Sequence, residues 1–236
     1  MATKVVVGGS SVSASQLKDF FRQIEDGSLT GYHVQGLLEH RNPFEIAMDT
    51  VSQIERACAL YLEAFGLAID PASVVIPPRQ LGFDRLILVP KGLTLNKVVE
   101  FLRTKFEVYL YTEDLDQNVK RNDRTNTETY SIWVRDGVEA DEELKNLSAN
   151  QLTEKKISAV TLLERLLHEL VYFTETGKHL DVANCTLCAG SRNSVGAVPS
   201  VDWRAGSREL YVDWFYPDGR SDDLRARAVV SLPAGE

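Results

Sequence analysis

The chain has 236 residues, 44% hydrophobic and 25% charged, the balance of a water-soluble globular protein with one or two domains and ample length for a core. A net charge of −8 speaks against nucleic acid as a partner, because phosphate binding needs a basic face, and no apolar run reaches the length of a membrane span. Three cysteines, an odd number, do not make a disulfide framework, and the apolar run Val5 to Val7 is too short for a signal core, so the chain as it stands reads as cytoplasmic, with export by a route the sequence does not show left open.

Residues 1–12 read as a short strand or leader, and Gly8-Gly9-Ser10-Ser11 lacks the Lys and the glycine spacing of a phosphate-binding loop, which leaves a linker. Ser13 with Gln16 makes a capping box that opens a helix with Leu17, Phe20, Phe21 and Ile24 on one face, closed by Gly27. A short second helix holds Val34, Leu37 and Leu38. A third starts at Pro43 and runs through Ile54, Cys58, Leu62 and Phe65 to Gly66. His33 and His40 are too isolated to be ligands, and Cys58, among apolar neighbours, reads as core. Pro71 and Pro77-Pro78 close this helical N-terminal region, residues 1–78.

A β-α-β pattern follows. Leu86 to Val89 is a buried strand, Thr94 caps a helix with Leu95, Val98, Val99, Leu102 and Phe106 on its face, and Val108 to Tyr111 is the next strand. Pro90-Lys91-Gly92-Leu93 is no glycine fingerprint, so the pattern reads as a small structural or docking module rather than a nucleotide-binding fold. The polar run Thr112 to Thr129 lacks the spaced carboxylates and Gly of a calcium loop and reads as a solvated linker. Module and linker occupy 79–127, and the C-terminal domain is 128–236.

Tyr130 to Arg135 is that domain's first strand, expected to pair near the chain's end. The acidic run Glu139 to Glu143 reads as a solvated loop or helix start. Thr161 and Glu164 form a capping box for the clearest helix, with Leu162, Leu163, Leu166, Leu167, Leu170, Val171 and Phe173 on its stripe and Gly177 at its end. His168 falls off the stripe, beside Glu164 and Tyr172, and is expected at the surface. Cys185 and Cys188 form a C-x-x-C without a second pair. On a strand they point to opposite faces, which disfavours both zinc and a disulfide.

The last stretch contains an echo: Val201-Asp202-Trp203 recurs as Val212-Asp213-Trp214, with the small polar loop Arg204 to Arg208 between. Both copies alternate apolar and polar residues, the signature of strands with one buried face. Leu210, Val212 and Trp214 fall on one side, and Glu209, Tyr211 and Asp213 on the other. Tyr216-Pro217-Asp218-Gly219 is a turn. A third run sets Arg225 and Arg227 opposite Ala226 and Ala228, completing what reads as an antiparallel meander. Its polar side mixes Asp, Arg, Ser, Tyr, Phe and Gly. An ordinary solvated face accounts for such a mixture. So does a recognition surface, in which Tyr gives contact area at low entropy cost while Ser and Gly adapt.

The segments VTLLERLL from Val160, TGKHLD from Thr176, TLCAGSR from Thr186, VPSV from Val198, LYVDW from Leu210 and LRARAVVS from Leu224 together resemble the C-terminal domain of variable proteins of diversity-generating retroelements. The resemblance covers roughly the last half of the chain. It implies an α+β fold: a C-type-lectin-like domain, of the subclass related to the formylglycine-generating enzyme, with antiparallel strands and a long helix, preceded by a smaller helical and β-α-β region. It also implies a non-catalytic display protein without cofactor or metal, in which adenine-directed copying diversifies a ligand-binding surface. The outward positions are then Asp202, Arg204, Ala205, Ser207, Tyr211, Asp213, Phe215, Tyr216, Gly219, Ser221 and Asp223, all residue types that adenine mutagenesis of Asn-type codons reaches. Glu209 is not and stands as a departure. Trp203, Trp214, Leu210, Val212, Arg225 and Arg227 would be fixed scaffold, and His179 a structural hydrogen-bonder. The ligand expected on this face is a protein. Two further readings remain open: an oxidoreductase relative working through Cys185 or Cys188, and an interaction protein whose N-terminal region docks it to another assembly.

Overall fold

The computed structural model describes residues 13–26, 29, 34, 38 and 50–232, and the chain divides into two compact units, 1–47 and 48–236. In the first, helix α1 (Ala14–Glu25) opens on the expected capping box: Ser13 Oγ accepts from Gln16 N, and Gln16 Oε1 accepts from Ser13 N. The expected stop at Gly27, Leu37 of the second helix, His33, His40 and the start at Pro43 lie outside the described residues.

The second unit is α+β. Helix α2 (Thr50–Phe65) buries Ile54, Ala57, Cys58, Tyr61 and Phe65 and stops at Gly66, where φ is +68°. Leu62, expected on this stripe, is exposed. Tyr61 takes the inward place and donates its hydroxyl to Leu88 O at 2.9 Å. That bond seats α2 on strand β1 (Arg85–Val89), which is buried along its whole length. Helix α3 (Leu95–Leu102), capped by Thr94, leads to strand β2 (Glu107–Leu110). The β-α-β pattern is therefore present in order but not in pairing. β1 pairs antiparallel with β4 (Tyr130–Val134), whereas β2 joins another sheet. A β-α-β unit needs both strands in one sheet.

The polar run expected as a solvated linker is built into this unit. It forms helix α4 (Leu115–Asn118) and strand β3 (Val119–Asn122). Its side chains are committed to caps and ion pairs: Asp116 accepts from Leu95 N and Asn96 N at the start of α3, and Arg124 grips the buried Glu164 through bonds of 2.6 and 2.7 Å. The stretches 79–127 and 128–236 thus fall in one compact unit.

After β4 come a short 3₁₀ turn (Glu142–Leu144), helix α5 (Ala149–Glu154) and the long helix α6 (Leu162–Thr176), with the Thr161/Glu164 capping box and a left-handed Gly177 at φ +67°. The acidic run is not wholly solvated. Asp141 is buried, accepting from Arg135 and from Ala228 N. Strands β5 (Cys185–Leu187), β6 (Ser191–Asn193), β7 (Val198–Arg204), β8 (Glu209–Phe215) and β9 (Leu224–Arg225) follow. The main sheet has the order β2-β8-β7-β5-β9. β7 and β8 form the expected antiparallel hairpin, and Gly219 N closes the expected turn onto Tyr216 O at 2.9 Å. The meander ends there. β9 does not return along β8 but runs parallel to β5 at the far edge, and β2 runs parallel to β8 at the other. β4 meets the chain's end, as expected, through Trp133 and Val230. No helix among the described residues is long and apolar enough to cross a membrane.

Candidate ligand-binding face

Register pairs from Val198↔Phe215 to Arg204↔Glu209 join β7 and β8. Directly opposed residues of an antiparallel pair share a face, so this register sorts the hairpin into an inner and an outer side. Val201, Trp203, Leu210, Val212 and Trp214 point inward, with Val201, Leu210 and Val212 buried and the two tryptophans half-buried against the same core. Trp214 Nε1 donates to Thr112 Oγ1 at 3.1 Å. Trp203 lies flat on the His179 ring, with centroids 3.3 Å apart and planes 4° apart, and Phe106 meets it edge-on. The His179 position is fixed in turn by Glu169, whose Oε1 is 2.9 Å from Nδ1.

Beneath the hairpin lies an ion network that has no signature in the sequence. The Asp181 carboxylate is wholly buried and accepts from Arg165 Nε at 2.9 Å, Arg227 Nη2 at 2.7 Å and Thr186 Oγ1 at 2.5 Å. Arg165 also bonds Glu169 at 2.9 Å, and Arg227 donates to the carbonyls of Gly137 and Val138. Burial works to raise the Asp181 pKa, but the two guanidiniums outweigh it and hold the carboxyl below its ordinary value. The network ties α6, the loop before β5, β5 itself and the chain after β9 into one support. Arg227 is buried in this network, and Arg225 donates to the Ala140 carbonyl at 3.2 Å and pairs with Glu142.

The same network accounts for His168, which is completely buried rather than at the surface as expected. Glu164, Arg165 and Glu169 are buried too, because each finds an opposite charge inside, so α6 is enclosed nearly all round and its polar side is no surface. Neither ring nitrogen of His168 has a hydrogen-bond partner among the described residues. Burial, then the positive charges of Arg227, Arg165 and Arg85, push its pKa well below 6.5.

On the outer side, six of the eleven expected outward positions converge: Asp202, Arg204, Ala205, Asp213, Phe215 and Asp223 line one concavity of ≈ 340 Å³. Ser200, Cys185 and the edge of Trp203 also line it, and the loop from Asp181 to Asn184 forms one wall. Tyr211 lies beside it on the same face. Its ring stacks on Tyr109 of β2, with centroids 4.2 Å apart and planes 7° apart, and the Arg204 guanidinium covers it at 3.1 Å from the ring centroid. Ser207 is exposed in the hairpin loop. Tyr216, Gly219 and Ser221 sit in the connection after β8 and are not among the residues that line the concavity, with Tyr216 78% exposed. A Cβ at Gly219 would come within 3.0 Å of the Tyr216 carbonyl oxygen, so a side chain there presses on the turn itself.

Tyr109 is a site residue that sequence reasoning missed. Its strand was legible in Val108-Tyr109-Leu110-Tyr111. Its parallel pairing with β8, which brings Tyr109 opposite Tyr211, was not.

Burial, then the carboxylates of Asp202 and Asp181, push the Cys185 thiol well up, the reverse of what a nucleophilic cysteine needs. Cys188 is buried in the core, where burial also raises its thiol. Both cysteines are free. Burial raises Asp202 as well, against the pull of Arg204. No group of three or more His, Cys, Asp or Glu among the described residues is placed to hold a metal ion. No family model, curated protein or solved structure gives a significant match to this chain.

Proposed function

We propose that this is a non-catalytic ligand-binding protein of C-type-lectin type, whose outer β7–β8 face is a surface diversified by retroelement copying. The observation that carries this reading is the convergence of six expected outward positions on one concavity, above a hairpin whose inner side is locked by Trp203 on His179 and by the Asp181 network. A display surface requires that division: side chains free to change on one side, and a backbone held by fixed contacts on the other. The meeting of β4 with the chain's end and the long helix behind the sheet fit the lectin-type arrangement. A protein ligand suits a face with Tyr109, Tyr211, Arg204 and the edge of Trp203, residue types that dominate binding energy at protein interfaces. Carbohydrate binding does not follow from the name of the fold. The separate unit 1–47, whose α1 exposes Leu17, Phe21 and Ile24, is the part assigned to attachment to another protein.

The test is to sequence the 3′ end of the gene and its flanks across a population of the source. The expected result is a near-copy of the segment encoding about Ser191 to Ser231, with adenines wherever the gene differs, beside a reverse transcriptase. An invariant 3′ end without such a template would overturn the reading.

A further inference from the structure

We infer that Tyr109 is a positioning residue of the binding face: through Tyr211 it holds Arg204 beside Asp202, and so sets the charge that the concavity presents. This rests on the binding-face reading above. Four side chains on three strands make the device. The Tyr109 ring of β2 stacks on the Tyr211 ring of β8, with centroids 4.2 Å apart and planes 7° apart. The Arg204 guanidinium of β7 covers the same Tyr211 ring, 3.1 Å from its centroid. Arg204 Nε in turn lies 3.3 Å from Asp202 Oδ2. Tyr211 is thus enclosed between Tyr109 and Arg204, and offers no face to a ligand. Its part is to carry the arginine.

Arg204 has two carboxylates to choose from. The β7–β8 register sets Glu209 directly opposite it and Tyr211 directly opposite Asp202, which lies two residues back along β7 on the same face. Directly opposed charges are the natural partners on a sheet. Arg204 nevertheless pairs with Asp202, and forms no ion pair with Glu209 among the described residues. The Tyr211 ring decides the choice, because a guanidinium stacked on it is drawn into the row that Asp202 occupies. An exposed ion pair alone holds a long side chain poorly, and the Arg204 side chain is 45% exposed. An unsupported tyrosine ring would turn and let it go. Tyr109, paired with Tyr211 in the β2–β8 register, supplies the support. Asp202, Arg204, Asp213 and Asp223 all line the concavity. With Arg204 in place, the Asp202 carboxylate keeps its counter-ion. With Arg204 released toward Glu209, Asp202 would join Asp213 and Asp223 as a bare carboxylate. Position 211 is among the expected variable ones, whereas Tyr109 and Glu209 are not. A small residue at 211 would therefore change the charge at 202 without touching 202, and the fixed Tyr109 makes an aromatic residue at 211 the one that keeps the pair.

The experiment follows the Asp202 carboxyl carbon of the full chain by NMR against pH, with the signal assigned by its loss in Asp202→Asn. Burial raises this carboxyl and Arg204 pulls it back, so losing the arginine moves its titration upward. Arg204→Gln is expected to give that upward shift outright. Tyr109→Ala is expected to give a shift of the same sign and comparable size, and the double variant no more than Arg204→Gln alone. Tyr211→Ala, which breaks the stack one ring further on, is expected to match Tyr109→Ala and serves as the second variant. Tyr109→Phe keeps the ring and is expected to titrate as wild type. A wild-type titration in Tyr109→Ala or Tyr211→Ala, additive shifts in the double variant, or no rescue by Phe would each overturn the inference. If these shifts fail while a template repeat lies beside the gene, this inference falls and the diversified-face reading stands. If they appear and no template exists, Tyr109 keeps its positioning role and the diversified-face reading falls.

Discussion

Replacing Asp181 with Asn tests whether the outer face is held by the network beneath it. Asn keeps the shape and one acceptor but removes the charge. Arg165 would then keep Glu169, while Arg227, whose ion pair among the described residues is with Asp181, would be left a buried positive charge without an anion, all at essentially zero exposure. Removing one partner of a buried ion pair costs about 3–5 kcal/mol. That is a large part of the roughly 5–15 kcal/mol that keeps a domain folded. The assay is urea unfolding followed by tryptophan fluorescence at pH 7, with stability taken from midpoint and slope. The pH dependence gives a second readout. The folded-state pKa of Asp181 lies below its ordinary 3.8, so its contribution is fully present above that value and is lost as pH falls through the folded pKa. The gap between wild type and Asp181→Asn should therefore be constant above about pH 5 and shrink below about pH 4. A loss under about 1 kcal/mol at pH 7, within the range of ordinary surface changes, would refute the idea that this carboxylate holds the face.

His168→Leu should stabilise the protein by about 1–3 kcal/mol, because it removes two buried nitrogens without partners. Since the folded His168 pKa lies well below 6.5, wild type should lose stability as pH falls from 6.5 toward that lower value, and the variant should be flatter over the same window; a destabilised variant in pH-dependent unfolding would show that the imidazole has a partner after all. Trp203→Ala should cost about 3 kcal/mol, since it empties the stack on His179 and Phe106. Tyr211→Ala, on the outer face, should cost no more than about 1 kcal/mol, and equal losses in parallel denaturation curves would end the division into support and display. In a variant retaining Cys185 as its one cysteine, a disulfide reagent at pH 8 should label the thiol more slowly than free cysteine, because its pKa is raised; faster labelling would revive the thiol-enzyme reading.

Local chemistry is enough to read much of this chain. The capping boxes at Ser13 and Thr161 and the left-handed glycines 66 and 177 mark where helices begin and end, because those signals act within one turn. The alternation in Leu210 to Trp214 assigns sides of the hairpin, because strand side chains point alternately up and down. Contacts between segments distant in sequence are not legible in the same way. The pairing of β2 with β8 puts Tyr109 on the outer face, across a separation of about a hundred residues that no periodicity encodes. Asp116 and Arg124 look like solvated linker because charge is read as exposure until a partner is seen. His168 looks like a surface residue for the same reason: an amphipathic stripe assumes that the polar side meets water, whereas Arg165, Glu169, Asp181 and Arg227 neutralise one another inside. Sequence alone marked helices α1, α2, α3 and α6, the hairpin and a set of candidate outer positions, because neighbours along the chain decide those, and it left α4 and α5 unmarked. Which of those positions share a concavity, and which buried charges support it, depended on tertiary pairing of segments that carry no local mark of one another.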